Sequence, residues 1–72
     1  MATRNARHVV PSPSGGWDVK KAGEPRPASH HETQQEAVDQ ARGSLKNDGG
    51  GELRIHGQDG RIRETDSVPA GG

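Results

Sequence analysis

The sequence predicts a small α+β domain of ββαββ architecture, in which an antiparallel sheet of two hairpins is covered on one face by a single helix. Two pairs of short runs with alternating apolar and polar residues predict the hairpins, because strand side chains point to opposite faces with a period of two. Between them, a capped stretch with apolar residues at helical spacing predicts the helix. We assign the domain to residues 8–68 and expect disordered segments at residues 1–7 and 69–72.

The composition excludes several classes of protein. The chain has 72 residues, 25% of them hydrophobic, and its ten basic residues balance ten acidic ones. Zero formal net charge excludes a polycation that grips nucleic acid over its whole surface, although a local basic face stays open. The sequence contains no cysteine, which excludes disulfides and Cys-type zinc sites. Its apolar runs are too short for a membrane span or a signal peptide, so we expect a cytoplasmic protein.

The first hairpin is predicted for residues 8–11 and 17–21, which flank a turn rich in Pro, Ser and Gly. Trp17 and Val19 alternate with charged residues, so both are expected to point inward. Trp17 could also serve as a partner hot spot, but a core this poor in apolar residues favours its burial under the helix. Pro11 has no N–H to donate, so the first strand is expected to lie at a sheet edge or to end there.

The helix is predicted for residues 34–46, after a linker at residues 22–32 whose two prolines exclude helix. Thr33 and Glu36 form a capping box, in which each side chain can bind a backbone N–H of the other. Gly43 weakens the helix by about 1 kcal/mol relative to Ala, so the helix needs tertiary packing. The apolar stripe that would supply this packing consists of Ala37, Val38, Ala41 and Leu45.

The second hairpin is predicted for residues 52–56 and 61–64, around an Asp59-Gly60 turn in which the glycine accepts positive φ. Three apolar side chains of this hairpin are expected to face the helix: Leu53, Ile55 and Ile62. Burying each such side chain contributes only about 1.5–3 kcal/mol, against an ordering cost of about 1.5 kcal/mol per residue. A symmetric dimer that shares core or pairs an edge strand would relieve this deficit, so we consider a homodimer as a hypothesis.

These segments, in this order and spacing, resemble the bacterial domain-of-unknown-function family 2188. The resemblance covers about residues 8–68 and implies a small stand-alone bacterial α+β domain without an assigned activity. It is carried by residues 8–11, 16–20, 33–37 with Ala41, 53–56 and 59–63. A weaker similarity of pattern, a hairpin before a helix opened by Thr and Glu-Ala, is to the small RNA–DNA hybrid-binding module at the N-terminus of some ribonucleases H.

The polar face of the predicted sheet carries the candidate residues for binding nucleic acid or a partner: Lys20, Arg54, His56, Arg61 and Arg63. Asp18 and Glu52 share that face, which leaves a local charge of about +2. One interpretation is a surface that contacts phosphates. The other, which we favour, is a solvated face whose cross-strand ion pairs discourage edge aggregation. Stacking on single strands is not expected, because the one aromatic residue, Trp17, points inward.

Metal binding and catalysis are not expected. His30, His31 and Glu32, with His8 and His56, match no known zinc spacing, so we predict no metal and no cofactor. No nucleophile, base and orienting group can be combined, and so short a chain offers no deep pocket. We therefore predict a non-enzymatic interaction or structural module that self-associates or binds an unidentified protein. The alternative is weak nucleic-acid binding without sequence specificity, through the basic outer face.

Overall fold

A computed structural model describes residues 5–71, and over these residues the chain forms one α-helix and five β-strands. In chain order the elements are β1 (Ala6–Pro11), β2 (Trp17–Lys21), β3 (Ser29–His31), α1 (Gln34–Asn47), β4 (Gly51–His56) and β5 (Ile62–Val68). The strands lie in the order β3-β2-β1-β4-β5. Within residues 5–71, no helix has both the length and the apolar character needed to cross a lipid bilayer.

The predicted α+β class is confirmed, but the antiparallel sheet of two hairpins is wrong in one respect. The two hairpins meet through β1 and β4, which are parallel, so the sheet is mixed. Parallel neighbours need a long crossover connection, and here β2, β3 and α1 together supply it. The alternation of apolar residues indicates which side chains share a face. It does not indicate how one hairpin runs relative to the other.

The segment predicted as a linker contains a short edge strand. Strand β3 pairs with β2 over three residues, with His31 opposite Trp17 and Ser29 opposite Val19. The Ala28 N–H extends this pairing by donating to the Val19 carbonyl oxygen at 2.7 Å. Because β3 is polar throughout, it shows no alternation from which a strand could be predicted.

Strand β1 lies at the centre of the sheet and begins earlier than predicted. It includes Ala6 and the buried Arg7, two residues assigned from the sequence to the terminal segment. Pro11 is its last residue, which agrees with the second of the two positions expected for this proline. Of the predicted disordered segments, residues 1–4 and 72 lie outside the described residues. Asn5 and residues 69–71 are described: the Asn5 carbonyl oxygen accepts from the Glu52 N–H at 2.8 Å, and the Gly71 N–H donates to the Lys46 carbonyl oxygen at 3.0 Å.

Local capping signals set both ends of α1. The Thr33 hydroxyl accepts from the Glu36 N–H at 3.2 Å, which is one of the two bonds of the predicted capping box. At the other end, Gly49 has φ +93°, and the Gly50 N–H donates to the Leu45 carbonyl oxygen at 2.6 Å. This six-to-one bond after a left-handed glycine is a Schellman motif, and it turns the chain sharply into β4.

The core lies between α1 and one face of the sheet. Trp17 is 8% exposed and belongs to this core, as predicted. The expectation for Ile62 is wrong, since its side chain is 52% exposed. A bulge opposite Ile55 and His56 inserts one residue into β5, so Ile62 pairs with His56 and shares the face away from the helix. The buried apolar residues are Val9, Trp17, Val19, Ala37, Ala41, Leu45, Leu53 and Val68, with Val38 and Ile55 partly buried against them.

Candidate functional site

The face of the sheet opposite α1 is the candidate functional site, and we call it the uncovered face. Strand alternation and register place on it the side chains that are not directed into the core. Its centre is formed by β1 and β4, and its sides by β2 and β5. The residues that matter for its chemistry are His8, Val10, Asp18, Lys20, Glu52, Arg54, His56 and Ile62.

Three nitrogen-bearing side chains lie side by side across the middle of the uncovered face. Lys20 is directly opposite His8 on one side, and Arg54 is directly opposite His8 on the other. Side chains in such positions are separated by about 5 Å at Cβ. The sequence placed Lys20 and Arg54 on one face, and the pairing of β1 with β4 adds His8 between them.

The formal charges of this face balance, and one ion pair accounts for two of them. Arg54 binds the Glu52 carboxylate twice, with Nε at 3.2 Å and Nη2 at 2.9 Å from Oε2. Asp18 is only 6% exposed, and its Oδ1 lies 2.7 Å from Nδ1 of His30. Lys20 and Arg54 therefore carry two positive charges against the two negative charges of Asp18 and Glu52. The sequence predicted a local charge of about +2 because it placed Arg61 and Arg63 on the same face as these four residues.

Arg61 and Arg63 instead lie at the turn end of the sheet. Arg61 is in the β4–β5 turn, where its side chain is 89% exposed and its Nε lies 3.9 Å from Asp59 Oδ2. Arg63 is in β5 beside the bulge, and its side chain lies against Gly57. Neither arginine is in the row formed by Lys20, His8 and Arg54. The extra residue of the bulge shifts the alternation of β5, which the sequence alone does not reveal.

His8 and His56, which we call the histidine pair, touch at the centre of the uncovered face. His8 Nδ1 lies 3.0 Å from His56 Nε2, and the ring centroids are 5.2 Å apart. His56 Nδ1 lies 2.8 Å from the Gly60 carbonyl oxygen, so the turn holds the second ring in place. From the sequence, His8 entered only as a candidate metal ligand. Its contact with His56 depends on the parallel neighbours β1 and β4, which no local pattern reports.

The surroundings of His8 favour its neutral form. Burial lowers the pKa of His8 below the ordinary value of 6.5, and the neighbouring His56 and Arg54 lower the pKa further. At neutral pH the centre of the uncovered face is therefore an uncharged imidazole between two cationic side chains.

The remaining histidines are separated by the strand that carries them. His30 reaches Asp18 on the uncovered face, whereas His31 Nε2 lies 2.9 Å from the Ser29 hydroxyl on the other face. Over residues 5–71, no group of three or more His, Asp or Glu side chains is placed to hold a metal ion.

Comparison with known proteins identifies a family. The model of a family described as an uncharacterized protein conserved in bacteria, domain of unknown function 2188, matches residues 7–68. The matched segment extends from the second residue of β1 to the last residue of β5. No curated protein and no solved structure matches the chain, so the similarity to the ribonuclease H module gains no support from these comparisons.

Proposed function

The chain belongs to domain-of-unknown-function family 2188 of bacteria, and from the geometry of its uncovered face we propose that it is a non-enzymatic, cytoplasmic interaction module that self-associates. The observation that carries this proposal is the uncovered face itself. It combines a neutral imidazole centre, one exposed and one half-buried apolar side chain, and formal charges that sum to zero.

The centre of the uncovered face has the composition of an interface core. Ile62 is 52% exposed beside His56, and Val10 is half-buried on the neighbouring strand. Both lie next to the histidine pair, and the charged side chains of Lys20 and Arg54 flank His8 on its two sides. An apolar or neutral centre inside a charged rim is typical of protein interfaces. Burial of this centre would remove apolar surface from water, which favours association.

A second copy of the chain is the partner that this charge pattern suits. A twofold dimer brings the same patch of both copies together, so a face with net charge would repel its copy. Lys20, Arg54, Asp18 and Glu52 sum to zero, which removes that obstacle. A domain of 72 residues also buries a low fraction of its surface by itself. Association would therefore bury additional surface, of which the monomer buries only a low fraction by itself.

Sedimentation velocity over about 5–500 µM protein tests self-association. We expect dimers that dissociate on dilution, and we expect Ile62→Lys to be monomeric because it places a charge in the contact area. Gly43→Lys is the matched control, since it adds the same charge on the exposed side of α1, where nothing lies within 4 Å of the Cβ position. A single 7.6 kDa species at every concentration would contradict the proposal.

Weak nucleic-acid binding is the second proposal, and the row of Lys20, His8 and Arg54 favours it. Binding to duplex DNA, RNA and RNA–DNA hybrid should then weaken linearly with the logarithm of salt concentration. The double variant Lys20→Ala with Arg54→Ala, which removes both cations of the row, should bind more weakly and show a smaller slope. Absence of binding at about 50 mM salt would eliminate this alternative.

A further inference from the structure

The positions of the hydrogens in the histidine pair follow from its hydrogen bonds. The Gly60 carbonyl oxygen can only accept, so His56 Nδ1, at 2.8 Å, donates to it. A neutral imidazole has a single N–H, so His56 Nε2 accepts, and His8 Nδ1 donates to it across 3.0 Å. His8 Nε2 is then the nitrogen without hydrogen, and it is free of both bonds and can bind a proton.

The first proton leaves the hydrogen-bond chain intact. Protonation of His8 Nε2 keeps the bond from His8 to His56 and the bond from His56 to Gly60. One added proton therefore charges the histidine pair while both of its hydrogen bonds are kept.

The charged groups of β2 and β4 do not offset this new charge. Lys20 and Arg54 flank His8 and are themselves positive. Of the carboxylates on the uncovered face, Glu52 is bound by Arg54, and Asp18 is bound by His30 of β3. Protonation of the pair consequently changes the net formal charge of the uncovered face from zero to positive.

The other elements around the pair contribute little that would neutralise it. Helix α1 contacts it through Gln34, which is uncharged and donates to the His56 carbonyl oxygen at 3.2 Å. The β4–β5 turn carries Asp59 and Arg61, whose charges are 3.9 Å apart and offset each other. Strand β5 adds Arg63 beside its bulge, a further positive charge at that end of the sheet.

We propose that acidification separates the copies of this domain by charging the histidine pair at the centre of the uncovered face. This inference rests on the self-association proposed above. A twofold interface brings both histidine pairs close to its axis, so each copy would bury a cation that faces its equivalent. Burying a charge without a counter-ion is costly, and proton uptake therefore favours the separated copies.

Sedimentation equilibrium of the full chain at about pH 7.5 and about pH 5.5, with EDTA to remove metal ions, tests this switch. We expect the dimer of the unmodified chain to weaken by about tenfold or more at the lower pH. His8→Gln, which keeps an N–H but does not titrate, should show a nearly constant dissociation constant. His31→Gln is the matched control, because this histidine is bound to Ser29 on the other face, and it should behave like the unmodified chain.

Circular dichroism at both pH values ensures that only folded protein is compared, and His56→Gln replaces His8→Gln if the latter does not fold. A dimer whose affinity is the same at both pH values would overturn the switch and leave self-association standing. The switch would also be overturned, with self-association left standing, if His8→Gln, or His56→Gln in its place, kept the full pH dependence of the dissociation constant. A chain that is monomeric at the higher pH at all concentrations would refute self-association, and the switch with it.

Discussion

At the residue scale, the histidine pair shows how a protonation state depends on neighbours that are remote in sequence. His8 and His56 are 48 positions apart, and they meet because β1 and β4 are adjacent. The sequence could indicate that both side chains leave the core, since both alternate with buried residues. It could not indicate their contact, because that requires the parallel pairing of the two hairpins.

The lowered pKa of His8 predicts that the fold is less stable in acid. The unfolded chain binds a proton at His8 near pH 6.5, whereas the folded chain does so only at lower pH. The free energy of unfolding contributed by neutral His8 is therefore complete above pH 6.5 and is lost as pH falls through the lowered pKa. Urea unfolding at about pH 7.5 and pH 5.0, at about 1 µM to keep the chain monomeric, measures this loss. His8→Gln should lose less stability than the unmodified chain, and equal losses would contradict the prediction.

At the element scale, the helix could be predicted closely and the strands less so. Helix α1 extends from Gln34 to Asn47, against a prediction of residues 34–46, because its start depends on a local capping box. Strand β3 carries no such local signal, and it exists through its pairing with β2. The β5 bulge likewise depends on tertiary pairing, and it reverses the face expected for Ile62.

Two glycines of the helix region should respond in opposite directions to the same substitution. Gly43 has helical backbone and nothing within 4 Å of its Cβ position, so Gly43→Ala should stabilise the fold by about 0.5–1 kcal/mol. Gly50 has φ +89°, and a Cβ there would lie 2.7 Å from the Val68 carbonyl oxygen. Gly50→Ala should therefore destabilise the fold. Chemical unfolding followed by Trp17 fluorescence measures both, and a destabilising Gly43→Ala would contradict this account of α1.

At the scale of the whole molecule, the helix is joined to the central strand by charge as well as by the apolar core. Arg7 is only 5% exposed although the sequence placed it in a disordered segment. Its guanidinium donates to the Asp48 carboxylate at the end of α1. The carbonyl groups at that end carry partial negative charge, which also favours a cation there. A basic residue before the first recognisable strand has no periodic pattern around it, so its burial could not be predicted from the sequence.

The contact between Arg7 and Asp48 should contribute measurably to stability, because one of its partners has little access to water. The side chain of Arg7 is 6% exposed and that of Asp48 is 45% exposed, so Asp48→Ala leaves a nearly buried guanidinium without its carboxylate. We expect a loss of about 1–3 kcal/mol in the free energy of unfolding, the usual cost of an unpaired buried polar group. Asp39→Ala is the matched control, since this exposed helical carboxylate has only a local partner, Gln35, at 3.0 Å. It should change stability by less than about 0.5 kcal/mol. Equal effects of the two substitutions in urea unfolding would mean that the Arg7 contact does not hold α1 to β1.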